Sequence, residues 1–519
     1  MSQPIRNVLI VGGGTAGWLA ACHLAKKLSS NSAQGIAVTL IESPKIPTIG
    51  VGEGTVPAMR QSLQYLGISE TEFVRECDVT FKQSIKFVDW CKPLSANSQH
   101  SYHHLFDYPD LASLDITPYW LQGLAGDLPY ADAVSVQSRL CDAGLGPKNM
   151  THAEYAGITN YAYHLDAAKF ALLLTRHATT KLGVKHIKDL VEQVLCDRDG
   201  NISGVVTAEN GVLTADVYID CTGFRALLIG DACQVPFISK SDVLFADSAL
   251  AVQVPYADVN QAIPCFTVST AQEAGWIWDI GLSTRRGTGY VYSSRHTSDD
   301  RAEQVLTQYL RGTQVTGPIE ARKIDMQIGY REKFWHGNCI ALGLSQGFVE
   351  PLEATGLLVY DATARMLAEQ FPSHTALMPA LAQRFNQRVR LAWDRVIDFI
   401  KLHYFISNRD DSQFWLDNRD VAGCPTSLLD NLAVWRQQLP SAYDFHSKLE
   451  IFNLENYLYV LYGMQFPTDL TGQQFRFPDS AKAKQMLAFY QQKAQQLQAQ
   501  LLPHRELIAR IKHYGLSKI

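Results

Sequence analysis

The chain has 519 residues, 46% of them hydrophobic and 19% charged, with a formal net charge of −5. That length fits two or three domains or one large composite one, and the mild acidity without dense Lys/Arg clusters argues against a nucleic-acid partner. No apolar run reaches the ~18 residues of a membrane span, and ten cysteines without a C-x-x-C pair read as reduced thiols of a cytoplasmic protein, not as disulfides or a zinc site.

Val8 to Val11 reads as a buried strand and Trp18 to Lys27 as a helix. Between them lies G-x-G-x-x-G at Gly12, Gly14 and Gly17. Gly12 permits a tight turn, Gly14 lets backbone approach a pyrophosphate, and Gly17 allows close helix–strand packing. Thr15 and Ala16 complete this cradle, whose free N–H groups favour phosphate. The strand Ile36–Glu42 ends in an acid placed for the ribose, 25 residues after Gly17. The glycine cluster and the absence of a basic leader argue against a signal peptide.

A second glycine-rich loop, Thr48 to Pro57, is expected to wrap the cofactor through Gly50 and Gly52. Residues 58–77 read as helix, and Thr80 to Trp90 alternates as one strand carrying Lys82. Tyr163-His-Leu-Asp166 opens a helix through Thr179 with Asp166 as N-cap. Residues 186–220 read as a β-meander ending in Asp220-Cys-Thr-Gly-Phe224. Residues 240–295 and 315–335 read as β-rich, and 338–342 as a buried strand leading to the loop Gly343–Gly356 with Leu344 beside the cofactor. Beyond residue 358 the chain reads as mostly helical, giving an α/β composite of two parts, 1–357 and 358–519. No internal repeat is visible.

Cofactor loops near residues 12, 50, 221 and 345 are more than a nicotinamide needs. An extended FAD uses several such segments. The lack of a second G-x-G-x-x-G implies that a partner enzyme supplies the reduced flavin.

In order along the chain, Gly12–Gly17, Gly50-Val-Gly-Glu-Gly-Thr-Val-Pro57, Phe81-Lys82, Asp220–Phe224, Gly275-Trp-Ile-Trp-Asp-Ile280, Arg286–Tyr292, Phe348-Val-Glu-Pro-Leu-Glu-Ala-Thr-Gly356 and His403-Tyr404 resemble the flavin-dependent halogenases typified by tryptophan halogenases. The resemblance implies the glutathione-reductase-like FAD fold of flavin monooxygenases with an added, mainly helical substrate region. It implies that FAD, reduced by a separate flavin reductase, uses O₂ and chloride or bromide to make hypohalous acid. This oxidant reaches a lysine through a tunnel, and the lysine presents it to an electron-rich, indole-type arene.

The same resemblance makes Lys82 that lysine and Glu353 the acceptor of the ring proton. It places halide at Thr355 and Gly356, and makes Trp276 and Trp278 the guards of the tunnel. Taken singly, Lys82 would read as an exposed strand lysine and Glu353 as a helix-start carboxylate. Two departures stand out: Ala354 where the family often has Ser, and Gly281 where it usually has Pro. In the substrate segment His100 to Phe106, the match puts His103 at the family's histidine and Leu105 at its stacking phenylalanine. Further on, Phe452 and Asn453 face the substrate, with Asn453 in place of a tryptophan.

An FAD monooxygenase that hydroxylates or epoxidises a small molecule would explain every cofactor motif but leave Lys82 and the two tryptophans unused. Halide preference, regioselectivity and oligomeric state, a homodimer being one option, are not fixed by the sequence.

Overall fold

The computed structural model of the chain describes residues 3–45, 52–93, 99–315, 317–445 and 450–518. The expected cofactor residue Gly50 lies outside them.

Asn7–Val11 is an inner strand of a six-stranded sheet, paired in parallel with Ala37–Glu42 on one side and Val217–Asp220 on the other. Alternation sends Val8 and Ile10 into the main core and Leu9 and Val11 into a second one. A strand buried on both faces explains its unbroken apolar run. The helix Thr15–Lys27 follows directly. It packs tightly because Gly17 lacks a side chain: a Cβ there would stand 2.0 Å from the Gly12 carbonyl oxygen. Gly12 has φ +112°, a conformation that favours glycine.

The expected meander over 186–220 is corrected. Only the strands Val191–Cys196, Ile202–Thr207 and Gly211–Leu213 form one, whereas Lys185–Lys188 and Val217–Asp220 join the parallel sheet. The stretch 80–90 is also two strands. Thr80–Lys82 pairs with Ala162–Asp166, and Ser84–Val88 enters a seven-stranded sheet. The break lies at Gln83, whose backbone N–H donates to the Cys265 carbonyl outside either ladder. Tyr163 to Asp166 is strand, and the helix starts at Ala167 with the Asp166 side chain accepting from the N–H groups of Ala168 and Lys169.

In the seven-stranded sheet the order is Arg322–Asp325, Ser248–Pro255, Arg285–Tyr292, Gly275–Gly281, Thr267–Gln272, Ser84–Val88, Ser101–Leu105. Its register places Trp276, Trp278 and Ile280 on the same face as Ser269, Phe87, Ile85, Tyr102 and His104. The opposite face packs on the helix Asp299–Gly312 through Ile277, Tyr290 and Leu306.

Beyond Thr355 the described residues are mainly helical, and the helices fold back on what precedes them. Leu454–Gly463 packs on the strand Ser101–Leu105, and His504–Tyr514 on the helix Glu70–Glu76. All ten cysteines are free. Among the described residues no helix is long and apolar enough to cross a membrane.

Candidate active site

A cavity of about 630 Å³ runs from the turn Gly12–Gly17 to Lys82. Gly14 is extended, and a Cβ added to it would meet nothing within 4 Å. That is open space directly over the first N–H groups of the helix Thr15–Lys27, the place where a pyrophosphate is favoured. Thr15 and Ala16 line the same end. Glu42 stands beside the turn, so close that a Cβ on Gly13 would fall 1.7 Å from its Oε2, while its Oε1 is 2.8 Å from His186 Nε2. Gly52 and Leu344 line the middle, together with Glu53, which the sequence did not single out. Burial first, and then Asp166, push the Glu53 carboxyl up to about 7.

One face of the seven-stranded sheet forms a long wall of this space. Trp276 and Trp278 project from it into the cavity, with ring centroids 6.4 Å apart. The Trp276 indole N–H donates to Glu350 Oε2 at 2.7 Å, which fixes the ring. Gly281 has no room for a side chain, since a Cβ would meet Ile263 Cγ2 at 2.7 Å and the Tyr256 hydroxyl at 2.9 Å.

Lys82 ends a short strand and is 1% exposed. Its Nζ lies 5.3 Å over the Phe106 ring and beside Gly54, where a Cβ would stand 3.2 Å away. Burial pushes its ammonium down to about 7, against the pull of Glu353. Glu353 is equally buried, in the loop before the helix Thr355–Glu369. Its carboxylate is within 2.9 Å of both His104 Nδ1 and His403 Nε2. Burial alone would raise its pKa, but the two histidines outweigh burial and hold it at about 2.

Two expected substrate residues are corrected by strand alternation. His103 and Leu105 point to the face opposite Glu353. There, His103 Nδ1 is 2.9 Å from Ser84 Oγ, and its Nε2 is 3.1 Å from Asp142 Oδ1. His104 and Phe106 stand on the Glu353 and Lys82 side instead. A shift of one residue exchanges the faces of a strand, and both positions 103 and 104 are histidine. The aromatic ring that Leu105 lacks stands at Phe106, under the Lys82 ammonium. Phe452 is buried but stacks on Phe399 at 4.0 Å between centroids. Asn453 is exposed and precedes the helix Leu454–Gly463. Asn456, one turn further, is the residue that reaches His104, with Oδ1 3.0 Å from Nε2.

At the start of the helix Thr355–Glu369, Ala354 is left-handed with φ 54°. Thr355 Oγ1 is buried without a hydrogen-bond partner among the described residues. Ala354 and Gly356 border the cavity. An unsatisfied hydroxyl at a helix N-terminus fits a small anion.

A model of the tryptophan halogenase family matches residues 7–476. The chain is 39% identical to Tryptophan 7-halogenase RebH of Lentzea aerocolonigenes, covering 81% of this chain and 80% of that one. It is 38% identical to Tryptophan 6-halogenase SttH of Streptomyces toxytricini, covering 84% and 85%. The crystal structure of a tryptophan halogenase from Shewanella frigidimarina superposes with a TM-score of 0.95 at 44% identity, over 100% of this chain and 99% of the other.

Proposed function

The chain belongs to the tryptophan halogenase family, and on that footing we propose that it is an FAD-dependent enzyme that installs chlorine or bromine on an electron-rich, indole-type arene. The observation that carries this reading is the burial of Lys82 and Glu353 together beyond a cavity that opens on a G-x-G-x-x-G turn.

FAD, reduced by a separate flavin reductase, supplies with O₂ and halide the hypohalous acid. Gly12, Gly14, Thr15, Ala16 and Gly17 hold its pyrophosphate, Glu42 its ribose, and Thr355 with Gly356 the halide. Trp276 and Trp278 narrow the cavity between the flavin end and Lys82, which keeps an arene away from the flavin. Near pH 7 a substantial share of Lys82 is neutral amine. Its lone pair takes halogen from hypohalous acid with release of water; in its ammonium form it holds the acid by a hydrogen bond. The arene attacks the halogen, and Glu353 accepts the proton that the ring then loses. So acidic an intermediate needs no strong base, which suits a carboxylate held at about 2. His104 and Phe106 supply flat faces on the arene side. The reduced cysteines are in keeping with a cytoplasmic setting.

The test is mass spectrometry of indole and L-tryptophan incubated with the protein, FAD, a flavin reductase, NADH and bromide or chloride. A mono-halogenated product that disappears in Lys82→Ala is expected. A hydroxylated product formed without halide would overturn the reading in favour of a monooxygenase.

A further inference from the structure

His403 lies in the last turns of the helix Met378–Phe405 and is fully buried. Its Nδ1 is 2.8 Å from the Phe399 carbonyl oxygen. A carbonyl can only accept, so Nδ1 carries a hydrogen. The other nitrogen, Nε2, is 2.9 Å from Glu353 Oε1. A hydrogen bond across that gap needs one proton between the two atoms, whichever of them owns it. His403 and Glu353 therefore share a proton at Oε1.

The two carboxylate oxygens are not equivalent. Oε1 receives His403 Nε2 and, at 3.0 Å, His104 Nδ1. Oε2 receives only His104, at 2.9 Å. His104 Nδ1 has a single hydrogen to share between the two oxygens, so Oε1, which also meets His403, is the more engaged and Oε2 the freer one. Other titratable groups face this carboxylate. The strand Ser101–Leu105 brings His104 and Tyr102, whose hydroxyl has no partner among the described residues, and the strand Thr80–Lys82 brings Lys82. Phe87 and Trp90 close around the His403 ring at 5.0 and 6.0 Å between centroids.

We propose that His403 is a positioning residue for Glu353, which holds the carboxylate ionised through the shared proton and leaves Oε2 as the oxygen that takes the ring proton. This rests on the reading of Glu353 as proton acceptor given above. When the ring C–H bond breaks, its electron pair returns to the π system and the proton goes to Oε2. The proton on the His403 side stays where it is. Without His403, one buried carboxylate would depend on a single histidine, and desolvation would favour its protonated form.

The test uses two variants of the full-length, flavin-loaded enzyme. His403→Leu removes the donor, and His403→Gln replaces it with an uncharged N–H. The first readout is the carboxyl stretch of Glu353 in infrared pH-difference spectra, assigned as the band missing in Glu353→Gln. The second is the halogenation rate against pH. In the unaltered enzyme Glu353 stays ionised across the acid range and the rate shows no acid limb from it. In His403→Leu the carboxyl is expected to titrate near neutrality, so the rate falls about tenfold for each unit of pH below that point. His403→Gln should lie between the two. A Leu variant that titrates like the unaltered enzyme would overturn the proposal, as would a Gln variant that does so if the Leu variant fails to fold. If Glu353→Gln halogenates at full rate, the proton-acceptor reading falls, while the infrared titration still decides the role of His403.

Discussion

The Trp278 indole occupies the volume that a side chain at Gly289 would need. A Cβ at Gly289 would stand 2.1 Å from Trp278 Cη2 and 2.3 Å from Cζ2. The two residues are direct cross-strand partners in the seven-stranded sheet, so neither can be moved aside by a loop. Gly287 of the same strand lies more loosely against Ile280, where a Cβ would stand 3.3 Å from Cγ1. The glycines of Arg286-Gly-Thr-Gly-Tyr290 are thus sockets for the cavity wall.

Gly289→Ala should press the indole into the flavin end of the cavity. Overpacking of this kind costs about 1–3 kcal/mol; carried by the space that FAD needs, that energy is a roughly 5- to 160-fold loss of FAD affinity. Titration of flavin fluorescence measures it. An unchanged Kd would show that the indole has another place to go.

Lys82→Met should abolish halogenation, keep FAD binding, and raise thermal stability. The Lys82 pKa is lowered on folding, from 10.5 to about 7. Its burial therefore destabilises the fold fully below pH 7, and the penalty fades as pH rises toward the unfolded value. The Tm advantage of the Met variant should accordingly be largest at or below pH 7 and shrink by pH 9. An advantage independent of pH would mean that the amine is not desolvated.

Gly14 and Gly17 belong to one motif but should fail differently. Gly17→Ala sets a Cβ against the Gly12 backbone, which cannot yield, so the apo-protein should lose Tm. Gly14→Val meets open space in the protein and should leave the apo Tm nearly unchanged, while the added side chain obstructs the pyrophosphate. Thermal melts with and without FAD separate the two, and a Gly14→Val protein that saturates with FAD would refute the assignment.

His103→Ala and His104→Ala change neighbouring residues on opposite faces. The first removes contacts to Ser84 and Asp142 and should cost about 1–2 kcal/mol of stability with the halogenation rate retained. The second removes a donor from Glu353 and should lower the rate about tenfold or more, because a charge-assisted hydrogen bond contributes roughly 1.5–3 kcal/mol. Equal effects of both on the rate would contradict the alternation of this strand.

The phosphate turn was legible from the chain because glycine spacing encodes backbone geometry directly: Gly12 takes a positive φ, and Gly17 packs on the Gly12 carbonyl within the same turn. The two tryptophans were legible as a motif, but their sockets were not, since Gly287 and Gly289 acquire meaning only through pairing with Gly275–Gly281. The choice between His103 and His104 was undecidable from spacing. It depends on which residue of Ser84–Val88 lies opposite each, and Ile85 with Lys86 carries no local signal for that register. His403 meets Glu353 from a helix 50 residues further on, and Asn456 meets His104 across 352 residues, proximities that no local pattern contains.

The seven-stranded sheet also acts as a ruler. From Trp278 through Ser269 and Phe87 to Tyr102, two residues before His104, one crosses three strand-to-strand steps, about 14 Å at ~4.8 Å each. Peptide hydrogen bonds set that interval, and a ladder stretches far less than a loop. The spacing between the tryptophan wall and the strand Ser101–Leu105 is therefore fixed by the ladder, whatever changes in the loops and helices that pack on it.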